Sequence, residues 1–491
     1  MVGTADDGSP GAQLGPRPEG AARLDDRTAA TCAHLKRFFE LVEGDPDFRA
    51  RLIDEQVPRA QVLADAGIAL PIEEMASFWK IPLVLRLPRS EQESWHREFE
   101  QSDLAKLWAW WRQGDAARHG TARPRAVPVD PRARRWRDRH LSRVRSHALA
   151  AEDLSHFPLL SFELSQGCSV QCWFCALDPE KLKSYFAYTP ENQQLWREVL
   201  RHSWELFGEG CQSTICYHGT DPTDNPDFFS FQDDVIETYG VLPQVTTAQP
   251  LRDVEWTRTL LRYQQQHPPS HHRFSVLTLG MLRRIHRTFT PEELLDVTLV
   301  MQHKEALNRK VECGRAAARP DRLEAESQYR ATAHIPEPGD AQTTCECTCG
   351  YLVNMVTGRI QLISPATPSP SAPLGYATHA EGTFRTGGEF RAFLEQTVAD
   401  HMRERLAPNA TVRLWDDVQY ERLPDGFRLA SRYRAQTVRG GAHFGLLGDL
   451  LHDGTRTTAD ITDELIQAGM PVLDAVAWLD KVYQTGVIAE P

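Results

Sequence analysis

Cys168, Cys172 and Cys175 stand in the string Gly167-Cys168-Ser169-Val170-Gln171-Cys172-Trp173-Phe174-Cys175, directly after an apolar run from Phe157 to Leu164 that reads as a strand. Thiolates are soft ligands that suit iron–sulfur clusters. Three of them on one short loop leave the fourth iron of a 4Fe-4S cluster without a protein ligand, and an open iron can bind a cofactor or a substrate. A structural zinc site would need a fourth ligand, and neither a C-x-x-C partner nor a nearby histidine pair supplies it. Buried free thiols are the other bland alternative.

Two further strings carry chemistry. Cys216-Tyr217 ends a second candidate strand and runs into His218-Gly219-Thr220-Asp221-Pro222. An acidic side chain, exposed carbonyls and a glycine that lets the backbone come close are what an ammonium group needs; an ordinary glycine-proline turn is the alternative. Thr246-Thr247 ends a third strand and Ser275 lies in a fourth, offering hydroxyls toward the same rim, although such residues also simply favour strands. In Thr344-Cys345-Glu346-Cys347-Thr348-Cys349-Gly350, alternate residues of an extended chain share a face, so the three thiols can ligate an auxiliary cluster or donate a hydrogen atom.

The elements that must position these residues follow from periodicity. A chain of 491 residues exceeds one ordinary core, and about three domains are expected. Residues 1–27 have the composition of a disordered tail and lack the apolar core of a signal peptide. Residues 28–156 form a helical region and linker: helical spacing at Leu35, Phe38, Phe39 and Val42, a break at Gly44-Asp45-Pro46, a second helix through Phe48 and Leu52, a third near Val62 to Ala66, and a Trp-bearing helical stretch from Trp79 to Trp111. The arginine-dense stretch from Arg112 to Arg145 reads as a linker or clamp, its charge mostly a solvated face. Residues 157–365 alternate apolar runs with amphipathic helices, the sign of βα units. Strands are expected at Leu159–Leu164, Ser213–Tyr217, Gln244–Thr247, Arg273–Thr278 and Val311–Cys313, and helices at Gln193–Phe207, Ser230–Thr238, Val254–Gln266 and Pro291–Gln302. A hairpin follows over Tyr351–Val356 and Arg359–Pro365, then a connecting segment, 366–407. The net charge of −12 argues against general nucleic-acid affinity, and no apolar stretch approaches the roughly 20 residues that cross a bilayer. The expected setting is the cytoplasm.

The C-x-x-x-C-x-x-C spacing, the aromatic before the third cysteine and the preceding strand resemble the radical S-adenosylmethionine (SAM) superfamily. That resemblance implies an α/β fold built on a partial (β/α)6 barrel, with chemistry at the C-terminal ends of the strands. It implies a 4Fe-4S cluster on Cys168, Cys172 and Cys175, with SAM as cofactor. Phe174 would pack on adenine, His218, Gly219, Thr220, Asp221 and Pro222 would hold the amino group, and Thr247 and Ser275 would contact ribose or carboxylate. Arg315 is a further candidate for the SAM carboxylate, or else a surface ion pair.

A narrower resemblance rests on Cys347-Thr348-Cys349-Gly350-Tyr351-Leu352-Val353-Asn354-Met355-Val356, on Gln361-Leu362-Ile363-Ser364-Pro365, on Pro373-Leu374-Gly375-Tyr376 and on Phe289-Thr290-Pro291-Glu292-Glu293-Leu294-Leu295. These phrases are similar to the proteusin-type peptide epimerases, which convert L- to D-residues in ribosomally made precursor peptides. The resemblance implies Cα hydrogen abstraction and return of a hydrogen from a thiol, either Cys347 or Cys349, with Cys347 the better fit by its distance from Gly350. The run of three cysteines departs from the family phrase. Residues 38–71 resemble the helical leader segments of some such peptides, with a plain helical hairpin as the alternative. Residues 408–491, with short strands, a turn and three helices, resemble a winged-helix, PqqD-like module that binds a leader peptide by strand addition, a DNA-binding winged helix being the alternative. The partners so implied are a precursor peptide and an external electron donor such as flavodoxin or ferredoxin, with no nucleic acid and no membrane. Two other functions stay open: a radical SAM maturase that forms thioether or carbon–carbon crosslinks with an auxiliary cluster, and a non-catalytic peptide-binding protein.

Overall fold

Asp25 caps the first helix of the computed structural model, which describes residues 25–84, 89–116, 126–145, 158–267, 272–307, 313–322, 324, 325, 328, 349–366, 372–431 and 434–489. The Asp25 carboxylate accepts from the Thr28 N–H at 2.9 Å, so helix α1 (Asp26–Gly44) begins inside the stretch expected to be a tail. The rest of that tail, 1–24, lies outside the described residues. Asp45 ends α1 and starts α2 (Pro46–Ile53): its N–H donates to the Leu41 carbonyl, its carboxylate accepts from the N–H groups of Asp47 and Phe48, and Pro46 occupies the first helical position. Helices α3 (Arg59–Asp65), α4 (Ile81–Val84), α5 (Arg89–Phe99) and α6 (Asp103–Ala116) complete an N-terminal core around Leu35, Phe38, Leu52, Val62 and Phe78.

The arginine stretch departs from expectation. Helix α7 (Pro131–Arg145) occupies it, and Arg139 and Arg143 are buried rather than solvated. Arg139 donates to the Arg403 carbonyl at 2.8 Å and lies over the Tyr483 ring; Arg143 donates to the Asp417 carboxylate at 3.0 Å and lies over Trp415. A planar, weakly hydrated guanidinium can be buried where carbonyls, a carboxylate and an aromatic face receive it. The stretch is thus the clamp of the two expected alternatives.

The central sheet begins with β1 (Leu160–Glu163), after which β2 (Ser165–Gln166) and β3 (Ser184–Tyr185) form a small antiparallel pair. Helices α8 (Pro190–Phe207), α9 (Phe228–Tyr239), α10 (Val254–Gln266) and α11 (Leu279–Thr288) alternate with β4 (Thr246–Thr247), β5 (His272–Val276) and β6 (Val297–Met301). A parallel bridge joins Ser161 of β1 to Ile215, and another joins Ile215 to Gln244 just before β4; β4, β5 and β6 pair in parallel. Parallel segments therefore follow one another across the array in chain order. On its other side β1 pairs in parallel with β7 (Gly350–Asn354), followed antiparallel by β8 (Arg359–Pro365) and β9 (Tyr376–Thr383). The fold is mixed α/β with several sheets, and among the described residues no barrel closes.

Local expectations differ from the structure in places. A helix was expected over Pro291–Gln302, whereas Val297–Met301 is strand β6, with Val297, Leu299 and Met301 buried in alternation. Period-2 burial and the β-branched Val297, Thr298 and Val300 favour the strand, and the preceding helix is α11. Of the expected strand Val311–Cys313, Val311 and Glu312 lie outside the described residues and Cys313 sits in a bend. Segment 366–407, expected merely to connect, carries β9 and helix α12 (Gly387–His401), whose Phe390, Leu394 and Val398 pack into the main core.

The sheet has two chemically distinct faces. Phe162 meets Trp196 of α8 edge-on at 4.7 Å, and the Tyr351 hydroxyl meets Thr397 of α12 at 2.8 Å, so one face is sealed by helices. Glu163, Leu352, Asn354, Arg359 and Gln361 line a cavity on the other. The C-terminal unit has an antiparallel sheet, β10 (Gln419–Leu423), β11 (Gly426–Ala430) and β12 (Ala435–Arg439), followed by α13 (Ala442–Asp453), α14 (Thr458–Gln467) and α15 (Val472–Gln484), around Phe427, Leu447, Ile461 and Tyr483. Among the described residues no helix is long and apolar enough to cross a membrane.

Candidate cluster and cofactor site

The three cysteines sit on a loop that its own backbone holds tightly. The Cys168 N–H donates to the Glu180 carbonyl at 3.0 Å, and the Leu182 N–H donates to the Cys168 carbonyl at 3.3 Å. Gly167 has a φ of 82°, and a Cβ there would collide with the Lys181 carbonyl, so glycine is required. Gln171, with a φ of 53°, turns its side-chain amide inward to donate to the carbonyls of Cys168, Pro179 and Glu180 at 2.9, 3.2 and 2.9 Å. Asp224 accepts from the Ser169 N–H at 2.8 Å and from Arg252 at 3.0 Å, tying the loop to the segment after Pro222.

Burial pushes the Cys168 thiol up to about 11 and, with repulsion from Cys175 and Cys168, the Cys172 thiol up to about 12; burial also raises Cys175. Three thiols that burial keeps protonated form a donor set that a bound cation would deprotonate. Among the described residues no three His, Cys, Asp or Glu side chains gather about a single ion, the loop thiols included. A tetrahedral zinc needs that convergence, with each sulfur about 2.3 Å from one centre, whereas a 4Fe-4S cluster takes one thiolate at each of three irons. Three soft sulfur donors on one loop are a donor set whose chemistry suits an iron–sulfur cluster.

Arg315 forms an ion pair with Asp178, the alternative given for it, and is bonded to the cysteine loop. Its guanidinium donates to the Cys172 carbonyl at 3.1 Å, the Pro179 carbonyl at 2.7 Å and Asp178 at 2.6 Å, while its N–H donates to the Cys175 carbonyl at 2.9 Å. These bonds occupy it with the cluster loop. Phe174 is half-buried, edge-on to Trp173 at 5.8 Å.

The loop after Ile215 comes to the same rim. Gly219 takes a φ of 64°, and the Thr220 N–H closes a turn on the Tyr217 carbonyl. Asp221, 3% exposed, is saturated: it accepts from the Thr223 N–H and hydroxyl, from the Thr247 hydroxyl and from the Ala248 N–H, at 2.7 to 3.1 Å. Asp221 and Thr247 therefore bind each other, and Pro222 is buried at the start of the next turn. Ser275 shares the inner face with Arg273, which donates to the Tyr217 hydroxyl at 2.7 Å. His218 is 2% exposed, its Nε2 has no hydrogen-bond partner among the described residues, and burial alone lowers its pKa to about 4.

A cavity of about 360 Å³ opens beside these elements, walled by Gly167 and Leu177 to Glu180 of the cysteine loop, by His218 and Gly219, and by Glu163, Asn354, Arg359 and Tyr376. A larger cleft of about 610 Å³ lies between the N-terminal helices and α11, but its charges close on themselves, Arg283 on Asp45 and Asp47, and Arg51 on Asp65. Sequence reasoning missed Glu163, Asn354, Arg359 and Tyr376. A carboxylate ending an apolar strand four residues before the cysteine string was the available signal.

Cys349 is not at this rim. It precedes β7, whose Tyr351 lies opposite Leu160 and whose Asn354 lies opposite Glu163, so it stands roughly 16 Å of strand rise from the cavity end. It is 2% exposed in the main core, and burial pushes its thiol far up although Arg137 nearby pulls it down. That is the setting of a thiol packed in the core, away from the cavity. Cys345 and Cys347 lie outside the described residues.

Residues 412–486 match the model of the y4wI C-terminal domain. The uncharacterized protein y4wI of Sinorhizobium fredii (strain NBRC 101917 / NGR234) is 34% identical over 468 residues, covering 94% of this chain and 88% of its own. The chain belongs to the y4wI family. The y4wI C-terminal domain match takes in β10 to β12 and the three helices that follow, so that unit is a family feature in its own right. No solved structure matches.

Proposed function

We propose that the protein is a radical SAM enzyme acting on a ribosomally made precursor peptide, and that it epimerises L-residues to D-residues. The observation that carries the reading is the three-thiol loop, which leaves the end of a parallel strand and walls a polar cavity. Parallel segments in chain order across an open array also suit the partial barrel that the superfamily uses.

Cys168, Cys172 and Cys175 would hold a 4Fe-4S cluster, while Gln171, Arg315 and Asp224 fix the loop by taking or giving its backbone hydrogen bonds. Such a cluster with bound SAM supplies, on one-electron reduction, a 5′-deoxyadenosyl radical able to take a hydrogen from a peptide Cα. Inversion then needs a thiol to return a hydrogen from the opposite face, and Cys347 is the candidate once Cys349 is assigned to the core. The C-terminal sheet presents β10 and β12 as edges; β12 alternates exposed and half-buried residues, the surface on which a leader peptide would add as a strand.

The test is anaerobic turnover of the cluster-reconstituted protein in deuterium oxide with a cognate precursor peptide, read by peptide mass and chiral amino-acid analysis. One mass unit gained per D-residue, lost in Cys347→Ala, is expected. A loss of two mass units with no deuterium would mean crosslinking and would replace this reading, and the absence of SAM cleavage under reduction would leave a binding protein.

A further inference from the structure

Glu163 is the last residue of β1, and its carboxylate enters the cavity beside the cysteine loop. Asn354, opposite it across the parallel β1–β7 pair, donates through Nδ2 to Glu163 Oε2 at 2.8 Å. The orientation of that amide is fixed from its other end, because Asn354 Oδ1 accepts from the Val356 N–H, the Thr357 N–H and the Thr357 hydroxyl at 3.1, 2.9 and 3.1 Å. Among the described residues Asn354 is the one hydrogen-bond donor to this carboxylate, which leaves Oε1 open. Oε1 packs against Gly219, whose φ of 64° favours glycine.

A half-buried carboxylate with one neutral donor is under-satisfied, and a cation is what completes it. Burial holds the Glu163 carboxyl up to about 7, against the Asn354 hydrogen bond and the charge of Arg359, which pull it down; Arg359 itself is bonded to Glu381. His218, which lines the same cavity, is 2% exposed and has a buried Nε2 without a partner among the described residues. Asp221, the carboxylate the sequence offers for an ammonium group, has its acceptor sites filled by Thr223, Thr247 and Ala248.

We propose that Glu163, held by Asn354, is the carboxylate that receives the ammonium group of the aminoacyl end of SAM, with Asp221 acting as the brace that joins the loop to β4. This rests on the radical SAM reading. It places the aminoacyl group in the cavity at the end of β1, against the wall that Gly167 and Leu177 form.

The experiment is equilibrium dialysis of labelled SAM, and separately of labelled 5′-methylthioadenosine, which lacks the aminoacyl group, against cluster-reconstituted wild-type protein and the isosteric Glu163→Gln. Charge-assisted hydrogen bonds of this kind set the expected size: Glu163→Gln binds SAM roughly tenfold to a hundredfold more weakly and binds 5′-methylthioadenosine as the wild type does. Glu163→Ala must show the same selective loss, which guards against an idiosyncrasy of the amide, and both variants must keep the wild-type iron content. Equal SAM affinity in wild type and variants overturns the assignment of Glu163 while the radical SAM reading stands. Equal weakening for both ligands overturns it too, because it means a distorted cavity. No SAM binding by the iron-loaded wild type removes both.

Discussion

Glu163 sets the clearest pH dependence at the scale of a single residue. Its folded carboxyl titrates near 7 against the usual 4.5, with burial as the main cause, so the folded state keeps a proton that the unfolded chain has released. The stabilisation this gives is complete below about 4.5 and is lost as pH rises through 7. At 1.36 kcal/mol per unit the full swing is about 3 kcal/mol, trimmed toward ~2 because one edge meets the cavity. Glu163→Gln is therefore expected to gain about 2 kcal/mol over wild type at pH 8 and to match it at pH 4.5, measured by urea unfolding of the metal-free proteins. His218, with a pKa lowered to about 4, acts in the opposite sense between 6.5 and 4, and the difference between wild type and variant cancels it. A flat difference across pH would show that Glu163 titrates alike in the folded and unfolded chain. The cysteine loop was legible in sequence because its three cysteines lie within eight residues. Glu163 was not, because its partner Asn354 is 191 positions away and only the β1–β7 pairing joins them.

Elements were legible where local signals agreed. Helix α10 has Asp253 accepting from the Trp256 N–H and a continuous apolar stripe, and its expected bounds match. β6 was misread because Pro291, Glu292 and Glu293 look like a helix start; the structure spends them on a turn in which the Thr290 and Leu294 N–H groups close on Glu293 and Pro291. Gly314-Arg315 was legible only as composition, yet it braces the cysteine loop. Gly314 has a φ of 56° and packs so closely on the Ala176 carbonyl that a Cβ would overlap it. Gly314→Ala is expected to cost about 1–3 kcal/mol through strain and to push Ala176 and Cys175 out of place. Iron and sulfide per chain after reconstitution should then fall well below wild type while circular dichroism is unchanged. Full iron loading in Gly314→Ala would mean that the loop binds its cluster without this brace.

At the scale of the molecule, α7 is what fixes the C-terminal unit to the sheet that carries the site. Arg139 binds the Arg403 carbonyl just after α12, Arg143 binds Asp417 just before β10, and Gly486 lies so close that a Cβ would meet the α7 backbone at Arg139 and Arg143. Arg143 is 3% exposed and its partner's side chain 29%, so removing the guanidinium leaves a carboxylate that water only partly reaches. Loss of one member of a buried pair costs about 3–5 kcal/mol, and the partial exposure of Asp417 puts Arg143→Met toward the lower end. The cost should fall on the attachment rather than on either core, because the C-terminal unit has its own apolar cluster around Phe427, Leu447 and Tyr483. Limited proteolysis should then release a C-terminal fragment faster from Arg143→Met than from wild type, while SAM binding in the sheet cavity stays intact. If the C-terminal unit is what delivers a leader peptide, the same variant should lose turnover of full-length precursor and keep SAM cleavage without peptide. A variant that processes precursor at the wild-type rate would show that delivery does not depend on how this unit is held.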